Sequence, residues 1–97
     1  MELTPTARRH LRGLCHHLAP IVTIAEKGVT AAVLAELDAA LLRHELIKVK
    51  IRAAREIRAA AIDNLVAASG AALVQRIGQT ACLYRRHPEK PRLIVPG

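Results

Sequence analysis

The residues best suited to bind a charged ligand are three cations in one alternating stretch. Lys48, Lys50 and Arg52 alternate with β-branched apolar residues between positions 47 and 51. Successive side chains of a β-strand point to opposite faces, so the pattern predicts a strand with one buried face and one cationic face. No acid lies among the cations, and such a row is suited to hold phosphates. The alternative is that these side chains only keep an exposed sheet face or edge soluble.

A second candidate anion site is the turn at residues 25–28, Ala-Glu-Lys-Gly, which leads into a helix capped by Thr30. The unpaired N–H groups and positive dipole end of a helix N-terminus attract anions. Gly28 allows a close backbone approach, and Lys27 adds a cation. We therefore include Lys27, Gly28 and Thr30 among the candidate binding residues. The alternative is an ordinary strand-to-helix turn, in which Gly28 is needed only for the backbone dihedral angles of the turn.

A third basic surface lies near the start of the chain, on a predicted helix. Arg8, Arg9 and Arg12 fall on its polar side without an acid, whereas a helix face that is merely soluble tends to mix the two signs. A solvated face remains the alternative. A further group of cations at residues 85–92 is interpreted as a solubilising end.

Catalytic and metal-binding patterns are poor. Ser69, the only serine, precedes Gly70, where a capping role is expected. Cys15, His16 and His17 are adjacent, and adjacent side chains diverge around a helix, so they do not form a zinc site. We expect no catalytic residue, no metal ligand and no cofactor, and hence a protein that is not an enzyme.

Composition narrows the class of partner. The 97 residues carry a net charge of +7, which favours a polyanion, either nucleic acid or an anionic membrane surface. No apolar run is long enough to span a bilayer, and no cleavable leader is evident, so we expect a cytoplasmic protein.

Cys15 and Cys82 lack metal-ligand spacing and are interpreted as buried thiols of a reducing compartment. Tyr84 is the only aromatic residue, which excludes a platform for base stacking.

The pattern of caps, turns and periodicity predicts one domain over residues 1–97, with an extended, proline-containing tail at 86–97. The predicted order is helix, strand, helix, strand, helix, strand, strand, and residues 93–95 form at best a short edge strand. Crossover connections predict a compact α/β two-layer sandwich with a four-stranded mixed sheet. We expect the helices to cover one sheet face and to leave the other free.

Several stretches together resemble a known family. They are Leu-Arg-Gly-Leu at 11–14, His-Leu-Ala-Pro-Ile-Val at 17–22, Gly-Val-Thr at 28–30, His-Glu-Leu-Ile-Lys-Val-Lys-Ile at 44–51, Val-Gln-Arg-Ile-Gly at 74–78 and Leu-Tyr-Arg at 83–85. In this order and spacing they resemble the bacterial YhbY-like proteins. These are single-domain members of the CRM family, named for chloroplast RNA splicing and ribosome maturation.

The resemblance implies an RNA-binding domain similar in fold to the C-terminal domain of translation initiation factor three. It also implies association with ribosomal RNA in precursors of the large ribosomal subunit. The family's strand-to-helix turn is a GxxG loop, likened to the KH-domain loop that clamps RNA backbone. Ala25 replaces its first glycine here, so we expect weakened but retained contact through Lys27 and Gly28.

Two other functions stay open at this point. One is a general DNA-binding or nucleoid protein, and the other is a protein-interaction module whose basic face docks an acidic partner. The oligomeric state does not follow from the residues, and a monomer is our working expectation.

Overall fold

A computed structural model describes residues 2–96 of the chain. The seven elements follow the predicted order: α1 Pro5–Cys15, β1 Pro20–Ile24, α2 Ala31–His44, β2 Leu46–Ile51, α3 Arg55–Ser69, β3 Ala72–Ile77 and β4 Thr80–Tyr84. The strands form one sheet in the order β1-β2-β4-β3. β1 and β2 are parallel, and the two remaining pairs are antiparallel. The predicted α/β fold with a four-stranded mixed sheet is therefore confirmed.

Local sequence explains where the elements begin and end. The hydroxyl of Thr4 accepts a hydrogen bond from the Ala7 amide at 3.0 Å, and that of Thr30 accepts one from the Val33 amide at 3.1 Å. Each threonine thus caps its helix as expected. Gly70 ends α3 with a φ of +72°, and Gly78 begins the β3–β4 turn with a φ of +55°. Both angles lie in the left-handed region that glycine adopts without strain.

The main core lies between the sheet and helices α2 and α3. The apolar residues of the alternating strand, Ile47, Val49 and Ile51, are buried there with Leu37 and Leu41 of α2. The core contains no aromatic side chain, so branched aliphatic residues fill it. This face of the sheet corresponds to the buried face that the alternation predicts.

The opposite face is not wholly free, and here our expectation was wrong. Helix α1 packs across β2 and β3, which lie on either side of β4. Its Leu11 and Cys15 form a second apolar cluster with Leu46 of β2, Val74 of β3 and Cys82 and Tyr84 of β4. A helix with one strongly apolar side must bury that side, and the apolar ends of these strands offer the place. α1 therefore covers one half of this face and leaves the half around Lys50 open.

The C-terminal tail is anchored by a buried acid. Glu45, between α2 and β2, is fully buried, and its carboxylate accepts hydrogen bonds from the backbone amides of His87, Arg92 and Leu93 at 2.7–2.9 Å. Leu93 then packs beside the second apolar cluster. Residues 86–96 contain no strand, so the short edge strand expected at 93–95 is not formed. Carboxylate hydrogen bonds hold this segment in place of a sheet ladder.

Candidate nucleic-acid interface

The cationic row of β2 lies on the α1 side of the sheet. Lys48 pairs with Cys82 of β4, and Lys50 pairs with Thr80 of β4 and Thr23 of β1. Both lysines are half-buried, which indicates stems packed on the sheet. The single ion pair within residues 2–96 joins Arg85 to Asp38, so no carboxylate neutralises either lysine. The cations of this row are free to contact an anionic ligand.

Lys48 lies where helix α1 ends against the sheet. It lines a small cleft of about 40 Å³ together with Cys15, His16 and Gln75. The pKa of the Cys15 thiol is raised, mainly by a side-chain hydrogen bond with Cys82 and to a smaller extent by burial. This thiol therefore stays protonated near neutral pH. Both cysteines are free and buried, as the sequence predicts.

The turn at 25–28 forms a compact loop at the end of β1. The Gly28 amide donates to the Ala25 carbonyl at 2.9 Å, and Gly28 has a φ of +70°. A Cβ added at Gly28 meets no atom within 4 Å, so it is the dihedral angle that favours glycine here. Ala25 has no such angle, and alanine fits there without strain.

This loop borders a shallow depression of about 370 Å³. Lys27, Gly28 and Thr30 line it together with Thr23 of the open sheet face. The Thr30 hydroxyl accepts the capping bond of α2 and retains its own proton as a donor. Glu26, an acid, also lines the depression, next to Lys27.

Sheet topology brings the loop and the cationic row together. β1 and β2 are parallel, so their carboxyl ends lie at the same edge. There the Arg52 amide donates to the Ile24 carbonyl at 2.9 Å, directly before the loop. Arg52 is exposed, and it joins Lys27 and Gly28 to the row that continues through Lys50 and Lys48.

The three arginines of α1 differ in their surroundings. The Arg8 guanidinium donates to the carbonyls of Leu73 and Val74, where the β3–β4 register shifts. Arg8 is thus engaged in holding α1 on the sheet. Arg9 and Arg12 are exposed. Arg12 lies one turn before His16, which borders Lys48, so this side of α1 extends the cationic row.

Two of the four Lys and Arg residues at 85–92 have structural partners. Arg85 forms the ion pair with Asp38 at 2.8 Å and donates to the Ser69 carbonyl at 2.9 Å. The Arg92 guanidinium donates to the Arg43 carbonyl.

The sequence analysis missed another group of cations. Arg55, Arg58 and Arg76 line one depression. Arg76 lies far along the chain from the other two, so no local pattern links the three. Only the tertiary fold brings them together.

Tyr84 is buried, so its ring is not available for stacking on a base. Burial, and after it the charge of Glu45, raises the pKa of its phenol. Within residues 2–96, no three His, Cys, Asp or Glu side chains gather as a metal site would require. The helices there are too short or too polar to cross a membrane.

Curated proteins of similar sequence carry RNA-binding names. The chain is 47% identical over 90 residues to a probable RNA-binding protein of Pseudomonas aeruginosa, covering 92% of this chain and 86% of that one. It is 44% identical over 88 residues to an RNA-binding protein of Haemophilus influenzae, covering 90% of this chain and 89% of that one. Both names are those of RNA-binding proteins rather than enzymes, in agreement with the expectation that this protein is not an enzyme.

A solved structure shares the fold. The solution structure of a hypothetical protein of Staphylococcus aureus, whose description proposes RNA binding, superposes with a TM-score of 0.83 at 30% identity. The match covers 98% of this chain and all of that one. The arrangement described above is therefore that of a known fold.

The family itself follows from the sequence profile that the chain matches. Residues 3–85 match the CRS1 / YhbY (CRM) domain, a range that includes all seven elements and ends directly before the tail at 86–97. This agrees with the resemblance noted from the stretches at 11–22, 28–30, 44–51 and 74–85. The protein is a member of the CRS1 / YhbY (CRM) domain family.

Proposed function

We propose that this protein is a non-enzymatic RNA-binding protein that holds the phosphate backbone along one basic surface, here called the basic track. The track consists of Lys27, Gly28 and Thr30 at the loop, Arg52, Lys50 and Lys48 along β2, and Arg9 and Arg12 on α1. Arg8 is left out of direct contact because its guanidinium is bonded to β3. The observation that carries the proposal is the continuity of the β2 cations with the loop, since no carboxylate within residues 2–96 forms an ion pair with any of these cations.

Contacts along such a track read backbone and shape more than bases. Lysine and arginine neutralise phosphates and release counterions, a term that does not depend on sequence. The buried Tyr84 leaves no stacking surface, so selection of RNA comes from the spacing of phosphates and from sugar hydroxyls. Structured RNA suits this surface better than an unpaired strand.

We further propose ribosomal RNA in precursors of the large subunit as the ligand, with the protein acting as a cytoplasmic monomer. The family membership supports this narrower proposal, since the CRM family is named for RNA splicing and ribosome maturation. The two free, buried cysteines suit a reducing compartment.

A competition experiment tests the choice of ligand. A fragment of large-subunit ribosomal RNA and duplex DNA of equal length are titrated with the protein at one salt concentration. We expect tighter binding to the RNA. Equal binding to both would favour a general DNA-binding protein, and a heteromeric complex that survives nuclease treatment would favour a protein-interaction module.

Charge reversal tests the track. Lys48→Glu with Lys50→Glu should weaken RNA binding strongly in the same assay, and the binding that remains should have a salt slope smaller by about 2. The matched control is Arg86→Glu with Lys90→Glu, which makes the same change of charge at exposed positions after β4. Binding that is equal in both variants would contradict the track. A large fall in melting temperature for the first variant would instead assign β2 lysines a structural role.

A further inference from the structure

A second group of cations lies beside the β3–β4 turn and outside the basic track. Arg55 and Arg58 of α3, Arg76 of β3 and Gly78 line a depression of about 300 Å³. We call the three arginines the arginine triad. Its lining includes no acid and no apolar side chain. A phosphate is the ligand that such a concave guanidinium surface fits best, because guanidinium groups bind phosphate oxygens through paired hydrogen bonds.

The triad carries charge that the protein itself does not neutralise. Glu56 is the one acid in the first turn of α3, yet the single ion pair within residues 2–96 is that of Arg85 with Asp38. Like charges three residues apart on a helix destabilise it slightly. An anionic partner would remove this cost.

One member of the triad is held in place. The Arg58 guanidinium donates to the Ala53 carbonyl at 2.8 Å, and its side chain is half-buried. This bond leaves its remaining N–H groups as donors. Orientation before binding reduces the entropy lost when a ligand is bound. Arg55 and Arg76 are exposed on either side.

The triad and the track meet at one edge of the sheet. Arg76 pairs with Ala81, a residue of the main core, so the triad lies on the α3 side, whereas Lys50 lies on the α1 side. The Ile51 amide donates to the Gln79 carbonyl at 2.7 Å, which places the β3–β4 turn directly beside Arg52. Arg52 therefore lies between the loop at 25–28 on its β1 side and the β3–β4 turn on its β4 side, so RNA bound at Arg52 is close to both.

From these observations we infer that the arginine triad is a second phosphate-binding site, which takes the part of the RNA backbone that passes Arg52 and crosses the β3–β4 turn. The inference rests on the proposed function, since the ligand is the same RNA. It adds a contact on the opposite side of the sheet, so that the bound RNA wraps around the edge instead of lying on one face.

The test uses the full chain with Arg55→Gln and Arg76→Gln. Arg58 is left unchanged because its bond to Ala53 supports the start of α3. The matched control is Arg86→Gln with Lys90→Gln, which removes two charges at exposed positions beyond β4. RNA affinity is measured across salt for both variants and for the unchanged protein. In parallel, inorganic phosphate is titrated while the NMR signals of the Gly78 amide and the arginine side chains are followed.

We expect the triad variant to reduce the salt slope by about 1.5, which makes its deficit about eightfold smaller at 200 mM than at 50 mM salt. Phosphate should shift the triad signals saturably in the unchanged protein and not in the variant. If the variant loses stability, Arg55→Lys with Arg76→Lys should regain most of the slope, since both charges are kept.

The outcomes separate this inference from the proposed function. In one outcome the unchanged protein binds RNA, and the triad variant matches the control variant in salt slope and affinity. This result would overturn phosphate binding by the triad and leave the proposed role of the track intact. Failure of the unchanged protein to bind RNA would overturn the proposed function and the triad with it.

Discussion

Among single residues, Glu45 has the most unusual surroundings. Burial alone raises the pKa of its carboxyl, but hydrogen bonds from the amides of His87, Leu93 and Arg92, together with the Arg92 charge, outweigh burial and lower it. Glu45 is also the only non-glycine residue within 2–96 with a positive φ, at 63°. Its backbone ends α2 while its side chain binds a segment more than 40 residues later in the chain.

The lowered pKa makes stability depend on pH in one direction. The ionised Glu45 stabilises the fold above its ordinary pKa of about 4.3, and this contribution is lost as the pH falls through the lower folded pKa. Glu45→Gln should therefore reduce the free energy of unfolding by about 2–3 kcal/mol near neutral pH, because amide donors lose a charged acceptor.

Urea unfolding of Glu45→Gln and the unchanged protein measures this difference at neutral pH and again in acid. The gap should narrow in acid, where both side chains are uncharged. Glu36→Gln, an exposed position on α2, is the matched control and should show no gap. A gap of equal size at both pH values would mean that shape, and not charge, explains the effect.

Among the elements, α1 combines a structural arginine with two arginines that we propose bind RNA. Arg8 binds β3 carbonyls at the register shift, whereas Arg12, one turn further, is exposed. Arg8→Gln should lower the free energy of unfolding by about 1–2 kcal/mol, because two sheet carbonyls lose a charged donor. Arg12→Gln should leave stability unchanged and lower the salt slope of RNA binding by about 0.7–0.9.

Thermal unfolding and anisotropy titrations of the two variants separate these effects. The pair is its own control, since each variant removes one arginine from the same helix. A slope loss for Arg8→Gln equal to that of Arg12→Gln, with no loss of stability, would place Arg8 on the track as the sequence alone suggests.

For the whole molecule, the number of cations on the bound surface sets the response to salt. The basic track contains six cations: Lys27, Lys48, Lys50, Arg52, Arg9 and Arg12. At about 0.7–0.9 per phosphate, the logarithm of the binding constant should fall with the logarithm of salt at a slope of about −4 to −5.5. A steeper slope would require cations beyond the track, of which the arginine triad is the nearest group. A slope near zero would contradict phosphate binding altogether.

Much of the fold was accessible from local patterns. Thr4, Thr30, Gly70 and the Gly78 turn act through neighbours a few residues away, so the element order and bounds could be predicted with small errors. The alternation at 47–52 likewise separates buried from cationic side chains, because strand geometry alone decides which face each residue takes. Family membership could be anticipated for the same reason, since its motifs are contiguous stretches.

Tertiary structure decided the features that depend on distant partners. Periodicity shows that α1 has an apolar side but not where that side is buried, and so it could not reveal that α1 covers half of the face expected to be free. The fold gives Arg8 carbonyl partners on β3 and leaves Arg12 exposed. It also buries Glu45 against the tail, and it brings Arg76 beside Arg55 and Arg58. Each of these contacts joins residues separated by long stretches of chain, and their meeting depends on strand order and packing, which no local pattern encodes.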